Sequence, residues 1–384
     1  MNSRIAWFYL VVIRKERVST YNKSYKFNMK KYLILINQFV FILFFFNIIT
    51  TVSAADDFDD RVIKRIKLPT WFKESPFIEL QDDLENARSK GKKGLMLFFT
   101  TEGCSYCDRF IHLALADPEI SKLLQKNFVS IGMEIFNDAD ITSPTGESIT
   151  AKKFAKNEGV QFSPSIIFYG DKGKKLLKLV GYQSPERFKK VLAFLDKDLY
   201  KSESFRHYLK RLAVTEAPVQ TTTGLKADPL FSKPPYILES RYRTGKKPLL
   251  VLFEKTNCKE CEYSHKAVLA LKEVRDMMRQ FDVVRLDAND TKTPILAPNG
   301  QRLTPAVWYE KTKFTRVPAM LLFNNKNEEV LKTDALVMRL RMVNSLKYVI
   351  ERAYEKGWTF QRFGREKGRA KGRAKAEKKA DAIF

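Results

Sequence analysis

The residue types that most often carry enzyme chemistry are scarce here: 384 residues include three His and four Cys. No Gly-rich phosphate loop, paired-carboxylate motif or Ser/His/Asp order stands out, so those chemistries gain no support and no cofactor is implied. Acids are few, with 44 Asp and Glu against 69 Lys and Arg, a net charge of +25. No Cys lies near the small-residue run Val52-Ser53-Ala54-Ala55, which argues against a lipid-modified N-terminus. The four cysteines fall into two Cys-x-x-Cys pairs, Cys104/Cys107 and Cys258/Cys261.

Lys30 and Lys31 precede an apolar run, Tyr32 to Val52, that ends in the small residues of a signal-cleavage site. Residues 1–54 are expected to be a signal peptide or N-terminal anchor, with Met29 as the true start. Left uncleaved, a run of this length would hold the chain in a membrane. Either way, the remainder is expected to be periplasmic or otherwise exported, where oxidising conditions let cysteine pairs form disulfides.

Residues 1–54 carry eight Lys/Arg against one Glu, so their loss leaves about +18. A further share lies in residues 359–384, where the unit Gly-Arg-Ala-Lys repeats; this tail is expected to be a disordered or frayed helical end. Its basicity suits solvation, or attachment to anionic lipid. Nucleic acid is not an expected partner, because export removes it.

The chain repeats itself. GKKGLMLFFTTEGCSYC at 91–107 aligns without a gap on GKKPLLVLFEKTNCKEC at 245–261, an offset of 154 residues. The same offset pairs Thr150 with Thr304, Phe154 with Trp308, and Pro164 with Pro318. Each copy predicts an amphipathic helix, an apolar strand, a Cys pair opening a helix, and a further helix, capped in the first copy by Asp117 with Pro118 at its first position. A strand, a short helix, a proline-led strand, another strand and a closing helix follow. The expected class is α/β: two tandem domains, 67–213 and 236–358, each a central mixed sheet flanked by helices. Between them, 214–235 is rich in Thr, Pro and Lys and is expected to be a mobile linker.

As structural staples the Cys pairs would contribute little, since closing a four-residue loop removes little entropy from the unfolded chain. A shared four-thiolate zinc site would require the two copies to face each other. Three apart at a helix N-terminus, the cysteines are instead close enough to bridge, and the free amides there stabilise a thiolate. Cys104 and Cys258 would attack, and Cys107 and Cys261 would resolve. Acids around the second pair, Glu254, Glu260 and Glu262, should raise its thiol pKa, making Cys104 the more reactive. Glu102 and Glu254 are expected to be solvated or strand-end carboxylates, and His112 and His265 to lie on helix surfaces or at an interface, with no metal held. Trp308, Phe154 and Tyr182 are expected to pack.

A strand, Cys-x-x-Cys at a helix start and a proline about sixty residues on, present twice, resembles the thioredoxin superfamily. GCSYC, with the SPTGESITAKKFAKNEGVQFSPSIIFYGDKGK stretch, looks most like the SoxW-type periplasmic thioredoxins. The resemblance implies a thiol–disulfide oxidoreductase with Cys104, Cys107, Cys258 and Cys261 as catalytic residues. It also implies cis Pro164 and Pro318 which, with Ser163, Val317 and Tyr106, bind an extended substrate. Protein disulfides would be the substrates and a membrane thiol reductase the electron donor. Oxidase or isomerase activity would use the same residues. A metal carrier or a duplicated peptide-binding scaffold is the alternative of a different class. Both copies depart from thioredoxin: Gly103 and Asn257 replace the Trp before the first Cys, and Phe98 and Leu252 replace the buried Asp of the preceding strand.

Overall fold

The computed structural model describes residues 58–61, 66–74, 77–215, 225, 227–243 and 247–381, with backbone alone for 214–215 and 371–381. The expected leader, 1–54, lies outside these residues. Among the described residues no helix is long and apolar enough to cross a membrane.

The first copy runs β1 (Ile78–Glu79), α1 (Leu80–Ser89), β2 (Gly94–Thr100), α2 (Ser105–Phe110), α3 (Pro118–Asn127), β3 (Phe128–Glu134), β4 (Asp140–Thr142), β5 (Ser148–Thr150), α4 (Ala151–Asn157), β6 (Ser165–Tyr169), β7 (Lys175–Val180), α5 (Pro185–Asp196) and α6 (Phe205–Thr215). The second runs β8 (Tyr236–Ile237), β9 (Leu249–Glu254), α7 (Lys259–Ser264), α8 (Lys272–Met278), β10 (Asp282–Asp287), β11 (Ile295–Leu296), β12 (Arg302–Leu303), α9 (Pro305–Thr312), β13 (Ala319–Phe323), β14 (Glu329–Thr333), α10 (Arg339–Ile350) and α11 (Phe360–Asp381).

Each copy builds a mixed four-stranded sheet, in the orders β3-β2-β6-β7 and β10-β9-β13-β14. β2 pairs parallel with β3 and antiparallel with β6, and β9 repeats this with β10 and β13. The apolar run of β2 follows from its central place, because alternate residues face opposite layers. Met96 and Phe98 join the core of α2, α3 and α5, while Leu95, Leu97 and Phe99 face Leu80, Leu84 and Phe154 of α1 and α4. Asp117 caps α3 as expected, accepting from the N–H groups of Glu119 and Ile120 with Pro118 at the first position.

Two stretches differ from the sequence expectation. The described end of the linker is pinned: Asp228 takes both terminal nitrogens of Arg275 at 2.9 Å, Phe231 is buried, and the Ser232 N–H donates to the Val283 carbonyl at 2.8 Å. Arg275 holds the Asp228 carboxyl at about 2, well below its ordinary value. The tail, in turn, begins as a packed helix, α11. Phe360 packs on Phe162 with centroids 4.9 Å apart and Phe363 on Tyr348 at 5.7 Å, both buried. Burying each ring contributes about 1.5–3 kcal/mol, enough to order a turn that composition alone would leave frayed.

Candidate functional site

Both Cys pairs open a helix. Cys104 is the N-cap of α2, and its sulfur accepts from the Cys107 N–H at 3.1 Å. Cys258 caps α7 in the same way, with the Cys261 N–H at 3.0 Å. Each pair is joined as a disulfide, with Cα atoms 5.3 and 5.1 Å apart. The chain enters each cap through a left-handed residue, Gly103 at φ 73° and Asn257 at φ 59°. Gly and Asn are the residues that tolerate that region, which accounts for both departures from Trp. Each helix then passes into a π-helical turn, Ile111–Leu115 and His265–Leu269.

The Ser163–Pro164 and Val317–Pro318 peptides are both cis. In the second copy the Cys258 sulfur lies 4.0 Å from the Val317 carbonyl, so thiol chemistry and this backbone edge share one surface.

A family model for the thioredoxin-like domain matches residues 80–196 and 239–350, more than half of the chain. The chain belongs to the thioredoxin-like domain family. With a helix-capping Cys-x-x-Cys in each of its two thioredoxin-like domains, it is a thiol–disulfide oxidoreductase. It is similar to a solved thioredoxin-fold protein from Helicobacter pylori, at 22% identity over 38% of this chain and 88% of that one, TM-score 0.31. A thioredoxin from Thermus thermophilus is 24% identical over 31% and 85%, TM-score 0.24. The C-terminal domain of DsbD from Neisseria meningitidis, in its reduced form, is 16% identical over 28% and 86%, TM-score 0.22. No curated protein matches the chain.

The two thioredoxin-like domains pack with equivalent parts facing each other. Gly181 and Ala335, equivalent at the 154-residue offset, meet so closely that a Cβ on Gly181 would stand 2.3 Å from that of Ala335. Arg341 of α10 donates to the Ser163 carbonyl at 2.7 Å, while its equivalent, Arg187 of α5, donates to the Thr315 hydroxyl at 2.7 Å. Each closing helix thus sends an arginine to the other domain's cis-proline loop. Arg316 adds donations to the Tyr182 and Val180 carbonyls. Burial lowers Arg187 to about 10, and lowers Arg341 and Arg316 as well.

This near-symmetry breaks at the reactive sulfurs. Cys104 is 8% exposed and Cys107 0%, and Ser163 and Pro164 are buried; Cys258, Val317 and Pro318 are half-buried. Access therefore runs opposite to the order that local charge suggests. The cover over the first centre is a cluster. Tyr106 donates to Asp60 at 3.0 Å and accepts from the Met338 N–H at 2.9 Å, while Asp60 also accepts from the N–H groups of Leu340 and Arg341. The Arg341 guanidinium lies 3.5 Å from the Tyr106 ring centroid, and Phe58 meets that ring edge-on at 4.9 Å. Tyr106, expected at a substrate surface, is engaged within the chain.

Glu254 is the strand-end carboxylate of β9, and it is not solvated. It is 2% exposed and bonds to His265 Nε2 at 2.9 and 3.0 Å, with Arg285 3.9 Å away. The equivalent positions in the first copy are Thr100 and Ile111, so this pair belongs to the second centre alone. That difference is visible in the aligned copies, whereas Asp60 lies outside the repeat and gives no sequence signal. Glu102 is exposed, and His112 sits on its helix surface 3.3 Å from Asp108. Phe98 and Leu252 are buried apolar side chains, and Trp308, Phe154 and Tyr182 pack as expected. Among the described residues no three His, Cys, Asp or Glu side chains group as a metal site.

Proposed function

We propose that the chain reduces and exchanges disulfides of exported polypeptides in the cell envelope, in the manner of SoxW-like thioredoxins, with a membrane thiol reductase as electron donor. The observation that carries this is the second centre, where a half-buried Cys258 stands beside the Val317 carbonyl at the edge of a cis-proline loop. The leader-like pattern of residues 29–54 supports the compartment. In the reduced protein, Cys258 thiolate, stabilised by the Cys261 N–H, attacks a substrate disulfide and expels one substrate sulfur as thiolate, which takes up a proton. Cys261 loses its proton and attacks Cys258; the second substrate sulfur leaves, and the Cys258–Cys261 disulfide forms.

His265, half-buried one turn beyond Cys261 on the same helix and bonded to the buried Glu254, is suited with it to carry the proton that Cys261 loses. Glu254→Gln is expected to slow the resolving step about a hundredfold at neutral pH and leave substrate KM unchanged. Stopped-flow resolution of a preformed mixed disulfide across pH checks this. An unchanged pH profile would reduce the pair to a packing role.

Trapping tests the function. Full-length Cys261→Ser, expressed in the native envelope, should hold cysteine-bearing polypeptides as mixed disulfides, identified by mass spectrometry. If it holds none while the wild type reduces insulin, the protein is competent for exchange but polypeptides of the envelope are not its partners, and the proposal falls.

A further inference from the structure

With Arg341 on the Ser163 carbonyl, the backbone edge beside Cys104 is already occupied, and an extended polypeptide has no strand to pair with there. Yet Cys104 is not sealed. It lines a cavity of about 410 Å³ between the Glu102–Gly103 loop and α11, whose near wall is Gly364, Arg365 and Gly368. Sites for small ligands typically run from about 300 to 1,000 Å³. The space has room for a molecule up to about tripeptide size.

The wall facing Cys104 suits a carboxylate. A Cβ at Gly364 or Gly368 would meet nothing within 4 Å, so bare helix backbone opens the room. Arg365 Nε is buried with no hydrogen-bond partner, while its guanidinium lies 4.6 Å from the Phe136 ring centroid and interacts with the Glu134 carboxylate; Arg369 lines the same space with Glu366 3.6 Å away. The Asp60 carboxylate, at the cavity's edge, is taken up by Tyr106 and two amide N–H groups. Glu102 is the other acid of the lining, and Glu134, outside it, interacts with Arg365.

We propose that the first centre exchanges with a low-molecular-weight, carboxylate-bearing thiol rather than with polypeptide. The proposal rests on the thiol-exchange reading of Cys104. One thiolate attacks Cys104 of the Cys104–Cys107 disulfide; a mixed disulfide forms, and Cys107 leaves as thiolate and takes a proton. A second thiolate attacks the small molecule's sulfur, releasing the symmetric small disulfide and Cys104 thiolate. Two small thiols are oxidised and one protein disulfide is reduced.

Reduced glutathione is the probe, 2-mercaptoethanol the neutral control, and each centre is followed by alkylation and peptide mass spectrometry in the full chain. Gly364→Leu with Gly368→Leu, which favours the helix, is expected to slow glutathione reduction of Cys104–Cys107 by about tenfold or more, while Cys258–Cys261 reacts as before. Arg365→Gln should slow glutathione and leave 2-mercaptoethanol unaffected. Unchanged glutathione rates in both variants, or equal slowing of the two thiols by Arg365→Gln, would overturn the proposal. If dithiothreitol also fails to reduce Cys104–Cys107, the exchange reading of this centre falls; if dithiothreitol succeeds, only the cavity assignment does.

Discussion

Cys258→Ser is expected to lower insulin reduction by about a hundredfold or more, whereas Cys104→Ser keeps most of it. Local charge alone argues for the reverse, since Glu260 lies 4.0 Å from the Cys258 sulfur. Geometry overrides it. A polypeptide disulfide must bring its own backbone to the attacking sulfur. At Cys258 the Val317 edge is half-open, while at Cys104 the corresponding Ser163 edge is 1% exposed and bonded to Arg341. A low thiol pKa does not help a sulfur that the substrate cannot reach. Initial rates with insulin, measured for each single variant after equal pre-reduction, decide the matter. If Cys104→Ser is the more damaging change, the closed face of the first domain opens readily in solution.

Much of this was legible in the sequence, and for physical reasons. Strand β2 has to be apolar along its whole length because both of its faces are covered, and that run together with the Cys pair and the later proline marks the core of the fold twice over. The 154-residue offset also held the asymmetry of Glu254 and His265 against Thr100 and Ile111. What it did not hold was burial: a strand-end Glu looks solvated until the neighbouring helix places a His against it. Arg187 and Arg341 could be aligned as equivalents, but a crossed contact between domains depends on their packing angle, which no local pattern encodes. Composition allowed a helix at the tail but not its packed start, because Gly, Arg and Lys outweigh Phe360 and Phe363 in any average, yet those two rings fix the start of α11.

Ala335→Trp is expected to open the first centre. Ala335 is 3% exposed and abuts Gly181 where the two domains meet, so a large ring there cannot be accommodated without separating them. Overpacking costs about 1–3 kcal/mol, and here it falls on the contact between domains, outside either sheet. Separation would withdraw Arg341 from the Ser163 carbonyl and Met338 from Tyr106, freeing the backbone edge beside Cys104. In a Cys258→Ser/Cys261→Ser background, the wedge should raise insulin reduction by about tenfold or more, and alkylation of reduced Cys104 by a similar factor. Alkylation of Cys258 in the wedge variant with native cysteines is the control for domain integrity, since that sulfur is half-exposed already. A Cys104 that stays slow despite the wedge would show that the contacts of Tyr106 with Asp60 and Phe58, which precede the first domain, are what restrict it.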